Sequence, residues 1–195
     1  GNFGINMTDG ASLSVENCTI SGFFAIGSPK GLHVATAAKV RVVNTLLREN
    51  KNGIYLTNGA NASISGSKVF GAYVGVYVRG DSAATTTQAY LDTSVVNGGT
   101  YGIAAESFSG GVTRLFVTDS VVTNNSGRAI EAYNSGAGTA EATVSNSLVS
   151  GNGVGLVADG GGARLVASGN TVTRNSSGIA QVGTALFKSA GNNAV

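Results

Sequence analysis

The chain has 195 residues, of which 30 are glycine and only 11% are charged, and its net charge is +2. So small and dispersed a charge gives no electrostatic footprint for nucleic acid or for an anionic membrane, and we predict neither partner. No apolar run is long enough to span a bilayer, so no membrane insertion is expected. The single cysteine, Cys18, excludes an internal disulfide and leaves the redox compartment undetermined.

A repeat of 22 to 27 residues runs along the whole chain, and each copy opens with a glycine followed by an aliphatic residue. The sixth copy has Ala129 in place of the glycine. The aliphatic residues that follow these glycines form one ladder, and a second ladder of aliphatic residues recurs in step with it. The two ladders are Ile5, Leu32, Ile54, Val76, Ile103, Ile130, Leu156 and Ile179, and Ile20, Leu47, Val69, Val96, Val122, Val149 and Val172.

This period suits a coil of three short strands, each bonded to the next coil, whereas helical repeats need about 33 residues or more. The sequence therefore predicts an all-β parallel β-helix of about eight coils, formed as one domain over residues 1–195. Neither end shows a polar capping helix, although exposed solenoid ends invite pairing. We interpret the chain as a fragment of a longer protein or as one that associates with another copy end to end or edge to edge.

Three consecutive coils carry an extension after the opening strand, at residues 80–87, 107–112 and 134–139. Coils of a β-helix stack at about 4.8 Å, so the three extensions should lie side by side and form a wall along one edge. Loops aligned by a rigid scaffold are where binding grooves are built.

A column of small polar residues precedes the second ladder and shares its inward direction. We expect its hydroxyl groups to bond to neighbouring backbone inside the coil, and we interpret Cys18 as a packing residue rather than a nucleophile. The column is Cys18, Thr45, Ser67, Ser94, Ser120, Ser147 and Asn170.

The residues that point outward from the opening strands give the candidate site, because successive side chains of a strand alternate between its faces. Tyrosine rings on this face can stack on the apolar face of a sugar, and the charged groups beside them can bond its hydroxyls. The face therefore suits a polysaccharide or another cell-surface partner. The site residues are Tyr55, Tyr77, Arg79, Glu106, Glu131, Tyr133 and Asp159.

The alternative is a solvated sheet face, on which Arg79 and Glu106 form a weak surface ion pair and the tyrosines only stabilise the sheet. His33 lies at the rim of this face with no carboxylate in an adjacent outward position. We therefore predict no metal site, no cofactor and no catalytic role for His33.

The G-I/V-x-V openings, the A-x-L-x-V-x-N-x-x-I strands and the ending L-F-K-S-A-G-N-N-A-V resemble the right-handed parallel β-helix (pectin-lyase-like) superfamily. Within it, the chain is most similar to uncharacterised bacterial secreted β-helix repeat proteins. The resemblance covers essentially the whole chain. It implies a right-handed coil and a secreted or cell-surface location.

Polygalacturonases of that superfamily keep catalytic aspartates and a G-H-G motif in the corner before the opening aliphatic. The matching corners here, 48–54, 97–103, 123–130, 150–156 and 173–179, contain no Asp or His. The acidic calcium-binding cluster of pectate lyases is not found either. We assign no catalytic residue and predict a non-catalytic module. The alternatives are a hydrolase or lyase that uses Glu106, Glu131 or Asp159, and a structural segment of an adhesin or passenger domain.

Overall fold

A computed structural model describes residues 1–83 and 85–195. Ala84, within the predicted extension at 80–87, lies outside the described residues. The described chain forms 23 strands in three parallel sheets and contains no α-helix. None of its described segments is a helix with the length and apolar character needed to cross a membrane.

Each coil contributes one strand to an opening sheet, one to a middle sheet and one to a closing sheet. The opening sheet contains β1 (Phe3–Met7), β4 (Lys30–Val34), β7 (Asn52–Leu56), β10 (Val74–Gly80), β13 (Tyr101–Ser107), β16 (Arg128–Asn134), β19 (Val154–Asp159) and β22 (Ser177–Val182). The middle sheet contains β2 (Ser12–Glu16), β5 (Lys39–Val43), β8 (Asn61–Ser65), β11 (Thr86–Asp92), β14 (Val112–Thr118), β17 (Thr139–Ser145), β20 (Ala163–Ser168) and β23 (Leu186–Ser189).

The closing sheet contains β3 (Thr19–Ser21), β6 (Leu46–Arg48), β9 (Lys68–Phe70), β12 (Val95–Asn97), β15 (Val121–Thr123), β18 (Leu148–Ser150) and β21 (Thr171–Thr173). Every strand pairs in parallel with the equivalent strand of the next coil. Seven coils have all three strands and the eighth has two, which confirms the predicted parallel β-helix of about eight coils.

Both aliphatic ladders form columns in the interior. Ile54 pairs with Val76, Val76 with Ile103, and Val122 with Val149, so the residues that open successive coils are neighbours across the strands. The columns are almost completely buried from Leu32 to Val172, whereas Ile179 in the last coil is only partly buried. A core this continuous explains why the sequence contains so few charged residues.

The opening glycines are required by the close approach of successive coils. A β-carbon built on Gly75 would lie 2.5 Å from the carbonyl oxygen of Gly102 and 2.5 Å from Cγ1 of Val96. Both distances are shorter than van der Waals contact. The repeated glycine therefore avoids crowding between coils, and Ala129 holds the equivalent position in the sixth coil.

The polar column forms an internal hydrogen-bonded ladder, as predicted. The backbone N–H of Ser67 donates to Oγ of Ser94 (3.1 Å), and the N–H of Ser94 donates to Oγ of Ser120 (3.1 Å). Each hydroxyl in turn donates to a carbonyl two residues earlier, as Ser94 does to Asp92 (2.8 Å). Buried polar groups are thereby satisfied between coils.

The interpretation of Cys18 as a packed interior residue is wrong. Cys18 is exposed, and its thiol donates only to the carbonyl oxygen of Glu16 (3.1 Å). It belongs to the first coil of the described stack, so no earlier coil covers this member of the column.

The predicted wall of extensions is present in the described residues. The N–H of Phe108 donates to the carbonyl oxygen of Gly80 (3.3 Å), and the N–H of Ser135 donates to that of Ser107 (3.2 Å). The three extensions therefore follow one another along a single edge, between the opening and middle sheets.

Val149 tests the inward register. We expect Val149→Asp to lower the free energy of unfolding by about 3 kcal/mol or more, because it buries an unpaired charge. Leu148 is the matched control, because it is 38% exposed whereas Val149 is 0% exposed. Denaturant unfolding should therefore separate Val149→Asp from Leu148→Asp, and equal effects would contradict the register.

Candidate functional site

Two outward columns of the opening sheet carry the residues that the sequence singled out. In the first column Tyr55 pairs with Tyr77, Tyr77 with Ala104, and Ala104 with Glu131. In the second, Arg79 pairs with Glu106, Glu106 with Tyr133, and Tyr133 with Asp159. All seven predicted residues thus lie on one face, with Glu106 and Asp159 two coils apart.

A groove of about 520 Å³ lies on this face. Ala104 lines it and is the small residue between Tyr77 and Glu131 in the first column. Because alanine ends at its β-carbon, the larger side chains around it leave open space above this position. Five of the predicted residues line the groove: Tyr77, Glu106, Glu131, Tyr133 and Asp159.

Tyr55 and Arg79 lie beside the groove rather than in its lining. Arg79 Nη1 donates to the Tyr55 hydroxyl (3.3 Å), and the guanidinium lies 4.6 Å from the centre of the Phe108 ring. Arg79 Nε lies 2.6 Å from Asp81 Oδ1, an ion pair that is not aligned as a hydrogen bond. The Arg79–Glu106 ion pair expected for a solvated face is not among the ion pairs of the described residues.

Arg128 joins two of the groove carboxylates. Its Nη1 donates to Glu131 Oε2 (2.7 Å) and its Nη2 donates to Asp159 Oδ2 (2.8 Å). Glu131 is only 4% exposed, so its carboxylate depends on this cation for compensation. Burial raises the pKa of Glu131, and Arg128 opposes that rise.

Glu106 has a different environment from Glu131. The Tyr77 hydroxyl donates to Glu106 Oε2, and Glu106 and Glu131 line the groove together. Burial, with the neighbouring charge of Glu131, raises the pKa of Glu106 to about 7, against the lowering effects of the Tyr77 hydrogen bond and Arg79. At neutral pH this carboxyl is therefore close to its titration midpoint.

Aromatic rings continue along the same face toward the N-terminal end. His33 stacks between Phe3 and Tyr55, with ring centres 5.3 Å apart in both pairs, and Tyr55 lies 4.9 Å from Tyr77. His33 Nδ1 lies 2.7 Å from Asn6 Oδ1. Burial and the charge of Lys30 lower the pKa of His33 to about 4, so this imidazole is neutral at physiological pH.

The match to known proteins comes from a protein-family profile described as "Periplasmic copper-binding protein (NosD)", which covers residues 2–194. The chain belongs to the NosD family. This membership confirms the resemblance to right-handed parallel β-helix proteins, and the periplasmic description agrees with the predicted location outside the cytoplasm. Searches of curated proteins and of solved structures found no match.

Sequence reasoning missed Arg128 in this NosD-family chain. Strict alternation places residues 128 and 131 on opposite faces of a strand, yet both side chains meet on the outer face. The alternation is interrupted at the glycine position, held here by Ala129, where the strand enters from the corner. The sequence did contain one signal for this pairing: an arginine stands three residues before a glutamate, and the glycine position lies between them.

Other groove residues were missed for the same reason or because they lie in corners. Tyr101 occupies the position equivalent to Val74 in the preceding coil, two residues before the opening aliphatic. The Tyr73 ring lies 5.6 Å from the Tyr101 ring, and the Phe108 ring lies 5.8 Å from the Tyr133 ring. Tyr73 and Tyr101 line the groove, as do Lys51 and Asn52.

Arg128→Met should lower the free energy of unfolding by about 2 kcal/mol at pH 8, because it leaves the Glu131 carboxylate buried without its cation. The loss should be smaller at pH 5, because burial raises the pKa of Glu131 and a protonated carboxyl group needs no cation. Arg114→Met is the matched control: Arg114 Nε lies 3.2 Å from Glu141 Oε2, but both side chains are well exposed. Its loss should stay below about 1 kcal/mol, and equal losses would contradict a special role for Arg128.

Glu106→Gln should change how stability depends on pH. Between about 4.3, the ordinary glutamate pKa, and about 7, folded Glu106 keeps a proton that the unfolded chain has released. Raising the pH through this window therefore lowers the free energy of unfolding. Glutamine cannot titrate, so the melting temperature of the variant relative to the wild type should rise from pH 5 to pH 8. A constant difference would contradict the raised pKa.

Proposed function

We propose that this NosD-family chain acts as a non-catalytic binding module whose groove on the opening sheet takes a polysaccharide. The observation that carries the proposal is the groove itself, which is lined by Ala104, by three carboxyl groups and by the rings of Tyr73, Tyr77, Tyr101 and Tyr133. Tyrosine combines an apolar ring with a polar hydroxyl, as a sugar-binding surface requires. The extended surface formed by the stacked coils of a β-helix also suits a long polymer.

The arrangement of the carboxylates favours binding over catalysis. Glycoside hydrolysis uses two carboxyl groups with separate acid and base or nucleophile roles. Here Glu131 and Asp159 are both bonded to Arg128, so their oxygens are engaged with the same cation. Glu106 has a pKa suited to an acid, but its adjacent carboxyl partner is the buried Glu131. The alternative function is a hydrolase or lyase, which differs from a binding module in that it would cleave the polysaccharide.

The copper named in the family description requires a donor set that the described residues do not supply. Copper sites are built from imidazole, thiolate and thioether ligands, and the chain has one residue of each kind. Met7 packs against the interior, His33 lies on the outer face between two rings, and Cys18 is exposed between the middle and closing strands. In the described part of the chain, no three His, Cys, Asp or Glu residues form a group able to hold a metal.

A screen of the purified chain against neutral, basic and acidic polysaccharides, with both binding and the release of new reducing or unsaturated ends recorded, tests this proposal. We expect binding without cleavage, and unchanged binding after treatment with a chelator. Cleavage would favour the enzyme alternative. Failure to bind any polymer would favour a structural segment of an adhesin or passenger domain.

Tyr73→Ala combined with Tyr101→Ala should weaken binding to the best polymer at least about tenfold, roughly 1.4 kcal/mol, because both rings line the groove. Tyr90→Ala is the control. Tyr90 is as exposed as Tyr73, at 44% against 46%, but it lies in the middle sheet, away from the groove. Equal affinities for the wild type and the double variant would contradict a role of the groove.

A further inference from the structure

We propose that the groove selects glycans carrying a free amino group, with the sugar ammonium bound at Glu106 among the tyrosine rings. This inference rests on the proposed function and adds the chemical class of the ligand. Two observations support it. The other charged side chains of the groove already have partners, and elsewhere on the same sheet face an ammonium group is held among aromatic rings.

Among the described residues, Glu106 is the groove carboxylate for which no cationic partner is found. Arg128 is engaged by Glu131 and Asp159, and Arg79 is engaged by Asp81. Lys51 Nζ donates to the carbonyl oxygen of Gly27. Within the described residues no Lys, Arg or His nitrogen comes within ion-pair distance of Glu106, whose hydrogen-bond donor is the neutral Tyr77 hydroxyl.

The negative charges of neighbouring carboxylates make the position beside Glu106 favourable for a cation. Glu106 is adjacent to Glu131, so an ammonium placed there would relieve the repulsion between two carboxylates in a partly buried site. A uronate or other acidic sugar would instead add a third negative charge. An N-acetylated sugar would present an uncharged amide and leave Glu106 without compensation.

The opening sheet already holds one ammonium among aromatic rings. Lys30 Nζ lies 5.2 Å from the centre of the Phe3 ring and 4.9 Å from that of Tyr55, within the range of a cation–π contact. Tyr55 is the coil neighbour of Tyr77, which lines the groove. A ligand ammonium near Tyr77 and Glu106 would repeat this arrangement farther along the same column, with a carboxylate added.

The test compares two oligosaccharides of equal length, a β-1,4-linked glucosamine oligomer and its fully N-acetylated counterpart, by calorimetric titration at pH 7. We expect the wild-type chain to bind the amino form at least about tenfold more tightly. Glu106→Gln, which keeps the side-chain size, should reduce this preference to about twofold or less. Glu141→Gln is the control, because Glu141 pairs with exposed Arg114 in the middle sheet; it should keep the wild-type preference.

Several results would overturn the inference. Equal binding of the two oligomers, or tighter binding of the acetylated one, would show that the groove does not select an ammonium, although polysaccharide binding would stand. A full preference retained by Glu106→Gln would remove Glu106 from the site. Failure of both oligomers to bind would also overturn it. If every polymer in the polysaccharide screen failed as well, the proposed function would be wrong.

Discussion

The parallel hydrogen bonding between successive coils is the constraint on which the rest of this structure depends. Because each strand pairs with the equivalent strand of the next coil, every position of the repeat becomes a straight column. Interior columns must then be apolar, glycine or internally bonded, as in the ladder from Thr45 through Ser147. Outward columns are free to vary, and neighbouring coils bring their side chains together across about 4.8 Å.

The groove shows how this constraint creates a chemical environment that no single coil contains. Ala104, Glu106, Arg128, Glu131 and Asp159 come from three consecutive coils. Stacking buries Glu131 against Arg128 and places Glu106 beside it, with no cation in ion-pair contact among the described residues. Burial raises the pKa of both glutamates, and Arg128 opposes the rise at Glu131. Perturbed pKa values of carboxyl groups in a groove are often associated with functional sites.

Membership of the NosD family and the geometry of the groove indicate different properties of this protein. The family gives the fold type, and its periplasmic description agrees with a location outside the cytoplasm. The groove supports a ligand that is recognised by aromatic rings and carboxylates. The His, Cys and Met side chains that copper prefers are placed on different faces of the coil, so the groove and not these residues carries our functional proposal.

The sequence by itself determined the β-helix, the number of coils, the inward ladders, the wall of extensions and the shared face of the candidate residues. These features follow from period and alternation, which are local properties of the chain. Only the tertiary structure decided that Arg128 joins that face, because the inward–outward alternation is interrupted at Ala129, which is buried like the adjacent Ile130. It also decided that Arg79 pairs with Asp81, that Cys18 is exposed and that Glu106 has no ion-pair partner within the described part of the chain. Side-chain partners across coils depend on distances and burial, which the repeat pattern does not contain.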